Sequence, residues 1–242
     1  MPHGTPDWWG VEPTSTVHQM QDAGELAVRL GSPDTYDRRG NVMFLENFEH
    51  GLGGWQTNSS GAGGRVSLSP QRALEGAYSA KFVAGSDVLR DAVIGRYLGY
   101  PVYARHGLEA AVAWGANVEY VRLDVQYWDG VTGYRSAIRY DPVNDDFEYM
   151  DAAGAWPDID ADRPLPDSDY VFHHLKFVTD VSKGEYCRAL LDDAEYSLAG
   201  IPIYSTPSVT DPIMFVAIYI FSTPGNNAVG YVDSVIVTQN EP

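Results

Sequence analysis

The chain has 242 residues, 44% of them hydrophobic and 12% aromatic, a composition that supports one large core or two modest ones. Its 16 Lys and Arg face 33 Asp and Glu, a formal net charge of −17 with no compensating basic stripe, which argues against nucleic-acid binding. No apolar run is long enough for membrane insertion as a helix, and the single cysteine, Cys187, excludes an intrachain disulfide.

Residues 1–40 read as an extended, partly helical N-terminal arm. They carry Pro2, Pro6, Pro13 and Pro33, the pair Trp8-Trp9, and no strand alternation. Asp22 to Leu30 is punctuated as a short helix, with Asp22 as cap, Glu25 at the capping-box position, Gly31 at the left-handed C-terminal site and Pro33 beyond it. So short an arm cannot bury a core of its own. Trp8, Trp9, Val17 and Met20 therefore need a partner surface, on the parent domain or on another chain, and are read as an assembly anchor.

From residue 41 to residue 242 the chain reads as short strands and turns. The expected strands are 42–48, 64–68, 78–83, 93–98, 108–114, 120–128, 134–140, 147–150, 171–180, 185–191, 194–198, 214–221 and 230–238. Two hairpins are sharply specified. Leu123 to Trp128 meets Tyr134 to Tyr140 across Asp129-Gly130, and Phe172 to Asp180 meets Glu185 to Tyr196 across Ser182-Lys183-Gly184. Residues 151–170 hold six Asp and three Pro and read as a long surface loop. The last strand alternates Val232, Ser234 and Ile236 against Tyr231, Asp233, Val235 and Val237. This pattern defines an all-β sandwich.

Three phrases carry a likeness to known families: Phe44 to Trp55, Ser69 to Phe82, and Gly230 to Val237. With them the chain resembles the carbohydrate-binding-module and concanavalin-like jelly-roll superfamilies, and the second hairpin is similar to that of laminin-G-like sandwiches. The resemblance implies a jelly-roll β-sandwich over residues 41–242. It also implies a structural Ca²⁺ held by Glu49, the Glu75 to Ser79 segment and Asp233, since Ca²⁺ takes six to eight oxygens and this grouping could supply them. The alternative for Asp233 is a turn cap or an Arg partner.

The residues point to no catalytic centre. Glycoside cleavage needs two carboxylates facing one another, and the odd spacing of Glu46 and Glu49 puts them on opposite faces of a strand. Adjacent His173 and His174 point to opposite faces and cannot share a metal. For sugar binding, aromatic rings stack on the apolar face of a pyranose. Candidates are Trp128, Tyr134, Tyr140, Trp156, Tyr127 and Trp114, of which Trp128, Tyr134 and Trp156 are taken as the platform; such aromatics are more often core or sheet surface, Trp156 excepted because it sits in a loop between Ala155 and Pro157.

Two functions follow. The first is a non-enzymatic virion structural protein, a capsid decoration or appendage component of a bacteriophage at the virion surface. It would be anchored by its arm to other subunits, as a homo-oligomer. The arm and the lack of a basic, apolar leader favour it, and the order of arm, helix and jelly roll looks like phage appendage proteins. The alternative is an extracellular, non-catalytic module binding cell-surface glycans.

Overall fold

The computed structural model describes residues 39–87, 90–99 and 102–242. The arm residues Trp8, Trp9, Val17 and Met20, and the expected helix, lie outside the described residues. Sixteen strands follow in order: β1 (Asn41–Glu46), β2 (Gln56–Ser59), β3 (Arg65–Ser69), β4 (Ser79–Ala84), β5 (Asp91–Gly99), β6 (Arg105–Trp114), β7 (Val118–Trp128), β8 (Thr132–Asp141), β9 (Asp146–Tyr149), β10 (Asp158–Asp160), β11 (His173–Asp180), β12 (Glu185–Leu191), β13 (Ala194–Ser197), β14 (Tyr204–Pro207), β15 (Ile213–Ser222) and β16 (Ala228–Gln239).

They form two antiparallel sheets. The first runs β13-β12-β11-β6-β16-β4-β3, with β1 also on β16. The second runs β10-β9-β8-β7-β15-β5-β2, with β14 also on β8. Their inner faces meet in one core that includes Leu108, Val112, Trp114, Leu123, Ile138, Phe177, Ile218 and Val232, all fully buried. The protein is an all-β jelly-roll sandwich, as its strand pattern predicts.

Local chemistry sets the turns. In the β7–β8 hairpin Asp129 Oδ1 accepts from the N–H groups of Val131 (2.8 Å) and Thr132 (2.6 Å). In the β11–β12 hairpin Asp180 Oδ1 accepts from Ser182 N (3.1 Å) and Lys183 N (3.3 Å). Such Asx contacts substitute for backbone turn bonds.

Four expectations change. Strand β10 lies inside the acidic stretch expected to be loop, because Asp158 and Asp160 pair with Glu148 and Phe147. Strands β2 and β14 were not expected, since Gln56–Ser59 and Tyr204–Pro207 carry no apolar alternation and are specified by their neighbours β5 and β8. In β16 the register breaks after Asp233, and Ser234 takes a φ of 51°. This bulge shifts the parity, so Val232, Val235 and Val237 all reach the core, while Tyr231 and Asp233 face outward. Finally, β1 ends at Glu46 and Phe48 turns at a φ of 60°, so Glu46 and Glu49 are not related by strand parity. Glu46 instead accepts from Phe48 N (2.9 Å) and Trp55 Nε1 (3.3 Å), fastening the turn that buries both rings.

Candidate functional site

The two outer faces differ in what lies on them. On the first sheet, two segments of the chain close the face. The 70–78 segment is tied down where Leu74 N (2.8 Å) and Glu75 N (3.1 Å) donate to Asp233 Oδ2, and where Ala77 N (2.7 Å) and Tyr78 N (2.9 Å) donate to Glu49 Oε1. The C-terminal residues close the rest. Glu241 Oε1 accepts from Thr238 Oγ1 (2.5 Å) and pairs with Lys176 Nζ (2.9 Å), while its Oε2 binds Arg188. Lys176 also lies 3.6 Å from Glu109. All of these charges are buried, and a Cβ at Gly107 would stand 2.9 Å from Glu241 Oε1, so only glycine leaves room beneath.

Glu49 and Asp233 thus meet the same segment that the resemblance implies. The groups that face them are N–H hydrogens, which are donors to a carboxylate and not ligands for a cation. Among the described residues no cluster of three or more His, Cys, Asp or Glu side chains is placed to hold a metal. As arranged, Glu49 and Asp233 form a hydrogen-bonded clasp on this segment. Burial pushes the Asp233 carboxyl up to about 6, against the opposing pull of three backbone N–H donors from Glu75, Leu74 and Ser234.

The outer face of the second sheet is built differently. Outward positions of β8, β7, β15 and β5 line up in rows across the strands. One row is Gly133, Trp128, Ile213, Gly99; the next is Arg135, Gln126, Phe215, Tyr97; then Ala137, Asp124, Ala217, Gly95; then Arg139, Arg122, Tyr219, Val93. The third row is mostly small, and the longer side chains lie down over it. A Cβ at Gly95 would collide with the Phe215 ring, and one at Gly133 would stand 3.0 Å from Trp128 Nε1. Phe215 also packs on Tyr97 at 4.7 Å between centroids. At the other end Tyr120 stacks on Phe221 at 4.3 Å, and Arg139 lies over both Tyr120 (4.9 Å) and Trp156 (4.5 Å). Arg122 lies over Tyr219 at 4.1 Å.

Two carboxylates on this face are held by forks. Arg135 grips the fully buried Asp124 through Nε (3.1 and 3.2 Å) and Nη2 (2.5 Å). Arg139 grips Glu148 through Nε (2.5 Å) and Nη2 (2.9 Å). Burial raises the Tyr120 and Tyr219 phenols above their ordinary values, so both remain neutral donors at neutral pH.

Of the expected platform residues, Trp128 and Trp156 stand on this face and remain partly exposed. Tyr134 does not join them. It is an inward residue of β8, partly buried against the core, with its hydroxyl 3.2 Å from that of Tyr103. Trp114 and Tyr140 are fully buried and Tyr127 nearly so. His173 is buried against Trp114 with Nδ1 2.8 Å from Asp192 Oδ2. Residues missed in the sequence are Arg122, Arg135, Arg139, Phe215, Tyr219, Tyr120 and Phe221. The signal for them is the alternation of polar and aromatic residues at Tyr120, Arg122, Asp124, Gln126 and Trp128, which becomes a site only once β7 is placed between β8 and β15.

No family model matches the chain, and no curated protein matches it in sequence. Solved structures do match in fold. Cellulose-induced protein Cip1 superposes with a TM-score of 0.55 at 16% identity, over 81% of this chain and 96% of its own. The alginate lyase vAL-1 from Chlorella virus gives 0.55 at 12% identity, over 82% of this chain and 100% of its own. The endo-β-1,4-glucuronan lyase of the fungus Trichoderma reesei gives 0.54 at 10% identity, over 83% and 96%. At these identities the likeness is one of fold.

Proposed function

We propose that the protein binds an extended saccharide on the outer face of the second sheet and does not cleave it. The observation that carries this reading is a set of aromatic rings at outward positions of solvent-facing strands. Trp128 and Phe215 rest over glycine positions, and Tyr97, Tyr219, Tyr120, Phe221 and Trp156 continue the surface. Sugar rings stack on such surfaces through their apolar faces, with polar groups fixing orientation. Trp128 and Arg139 lie opposite and beside positions six residues apart along β8, about 20 Å at the usual strand rise, which suits a chain of sugars better than a single one. Two structural neighbours are named as lyases of acidic polysaccharides, which agrees with a saccharide ligand.

The non-catalytic part rests on Asp124 and Glu148. Hydrolysis needs one protonated acid and one free base or nucleophile. Here each carboxylate is locked in a bidentate arginine fork, which leaves its oxygens occupied. The virion reading depends on the arm, which lies outside the described residues, and no observation on the sandwich favours it.

The test is a glycan array followed by calorimetry on the best oligosaccharide. Trp128→Ala and Phe215→Ala should each weaken binding at least fivefold while the melt is retained, since buried aromatic anchors dominate contact energies. Full affinity in both variants, or turnover of the bound polymer, would contradict the proposal.

A further inference from the structure

We infer that the saccharide bound on this face is uncharged, and that the Gln126 amide reads its hydroxyls; this rests on the saccharide reading above. The cations of the face are committed inside the molecule. Arg135 lies on Asp124, Arg139 on Glu148, and Arg122 packs between Asp124 and the Tyr219 ring. At one end Arg90 pairs with Glu119. Carboxylates outnumber guanidiniums on the outward positions. Asp91 lies opposite Phe221, and Asp141 and Asp146 face one another, each two residues from Arg139 or Glu148 and so on the same side by strand parity. A uronate arriving here would give up hydration to a surface rich in acids whose cations are already paired, on a chain of net charge −17.

Gln126 is placed differently. It stands in the row of Arg135, Phe215 and Tyr97, two residues from Trp128 on the same side of β7. It is partly exposed, and among the described residues no group hydrogen-bonds its side-chain amide. A primary amide carries an acceptor and two donors without charge. It can accept from one hydroxyl and donate to the next on a sugar ring stacked on Trp128 or Phe215. The fold is shared with lyases of acidic polysaccharides, but a shared fold does not fix the ligand. Gln126 therefore acts as the polar contact within the aromatic surface, and the paired charges around it exclude acidic sugars.

The test is a glycan array on the full chain, followed by calorimetry on the strongest binder and on its counterpart of the same length and linkage with carboxyl groups in place of the primary alcohols. The strongest binder should carry no acidic group. It should bind at least tenfold more tightly than the acidic counterpart at about 0.05 M salt, and the gap should narrow at about 0.5 M, where charges are screened. Gln126→Ala should weaken the neutral ligand at least fivefold with an unchanged melt. Gln126→Glu, which keeps an acceptor but loses the donors, should weaken it as well. An acidic glycan as the strongest binder, or a counterpart that binds as tightly as the neutral form, overturns the inference and leaves the saccharide reading standing. So does full affinity in a folded Gln126→Ala. An array left blank by the folded protein removes both.

Discussion

The two outer faces of the sandwich carry buried charge to opposite ends. On the first sheet Lys176, Arg188, Glu109 and Glu241 are sealed under the chain's own C-terminal residues, beside a segment clasped by Glu49 and Asp233. On the second sheet Asp124 and Glu148 are held under arginines that themselves remain partly exposed among aromatic rings. A covered sheet face gives stability, because its buried charges are paired inside the molecule. An open face keeps aromatic and cationic surface available to something else. In the proposed reading the same architecture separates holding the fold from meeting a ligand.

The sharpest way to break this contrast is at Lys176. Lys176→Ala removes the cation between two buried carboxylates, and leaving buried charge uncompensated typically costs about 3–5 kcal/mol. For a domain of this size that is a fall in Tm of roughly 10 °C. A fall of only a degree or two in a thermal melt would mean the C-terminal cover is not part of the stable structure.

A second effect is pH-dependent. Burial raises the Asp233 carboxyl to about 6, from an unfolded value of about 4. The folded state then holds this proton more tightly, so the residue's favourable contribution is complete below about pH 4 and is lost as pH rises through about 6. The swing is about 3 kcal/mol at 1.36 kcal/mol per pKa unit. Asp233→Asn cannot ionise, so its stability relative to the wild type should rise by about that amount between pH 4 and pH 7 in denaturant melts. Parallel profiles would show that the clasp tolerates the charge freely.

On the open face the expected costs are smaller. Tyr97 is half exposed, and Tyr97→Ala should change stability by less than about 1 kcal/mol while weakening saccharide binding. A large loss of stability with unchanged binding would turn this face into ordinary packing. The smallest effect concerns calcium. Because Glu49 and Asp233 are met by N–H donors, a chelator should leave the melt where it is. A clear drop in Tm would show that the clasp can be rebuilt around a cation.

Much of the fold was legible in the sequence. The alternation of β7, β8, β11 and β12 and the Asp-led turns between them predict both hairpins, because strand parity and turn chemistry are local. The meeting of Glu49 and Asp233 with the 75–79 segment was legible only through resemblance, and their donors only through the structure. Strands β2 and β10 were hidden because polar, short segments owe their shape to the strand beside them. The site was the least legible part. Trp128 and Trp156 could be singled out as aromatics near turns, but Arg122, Phe215, Tyr219 and Arg139 become neighbours only when β15, distant in sequence, is inserted between β7 and β5. Tyr134 lies on the other face from Trp128, because one residue of parity turns its ring inward.

The most direct measurement is an NMR titration of the folded protein with the tightest oligosaccharide from the array. The account predicts shift changes confined to the outward residues of β5, β7, β8 and β15, led by Trp128, Phe215 and Tyr219. Changes centred instead on the 70–78 segment or the C-terminal cover of the first sheet would contradict it, as would an unperturbed second sheet at saturating ligand.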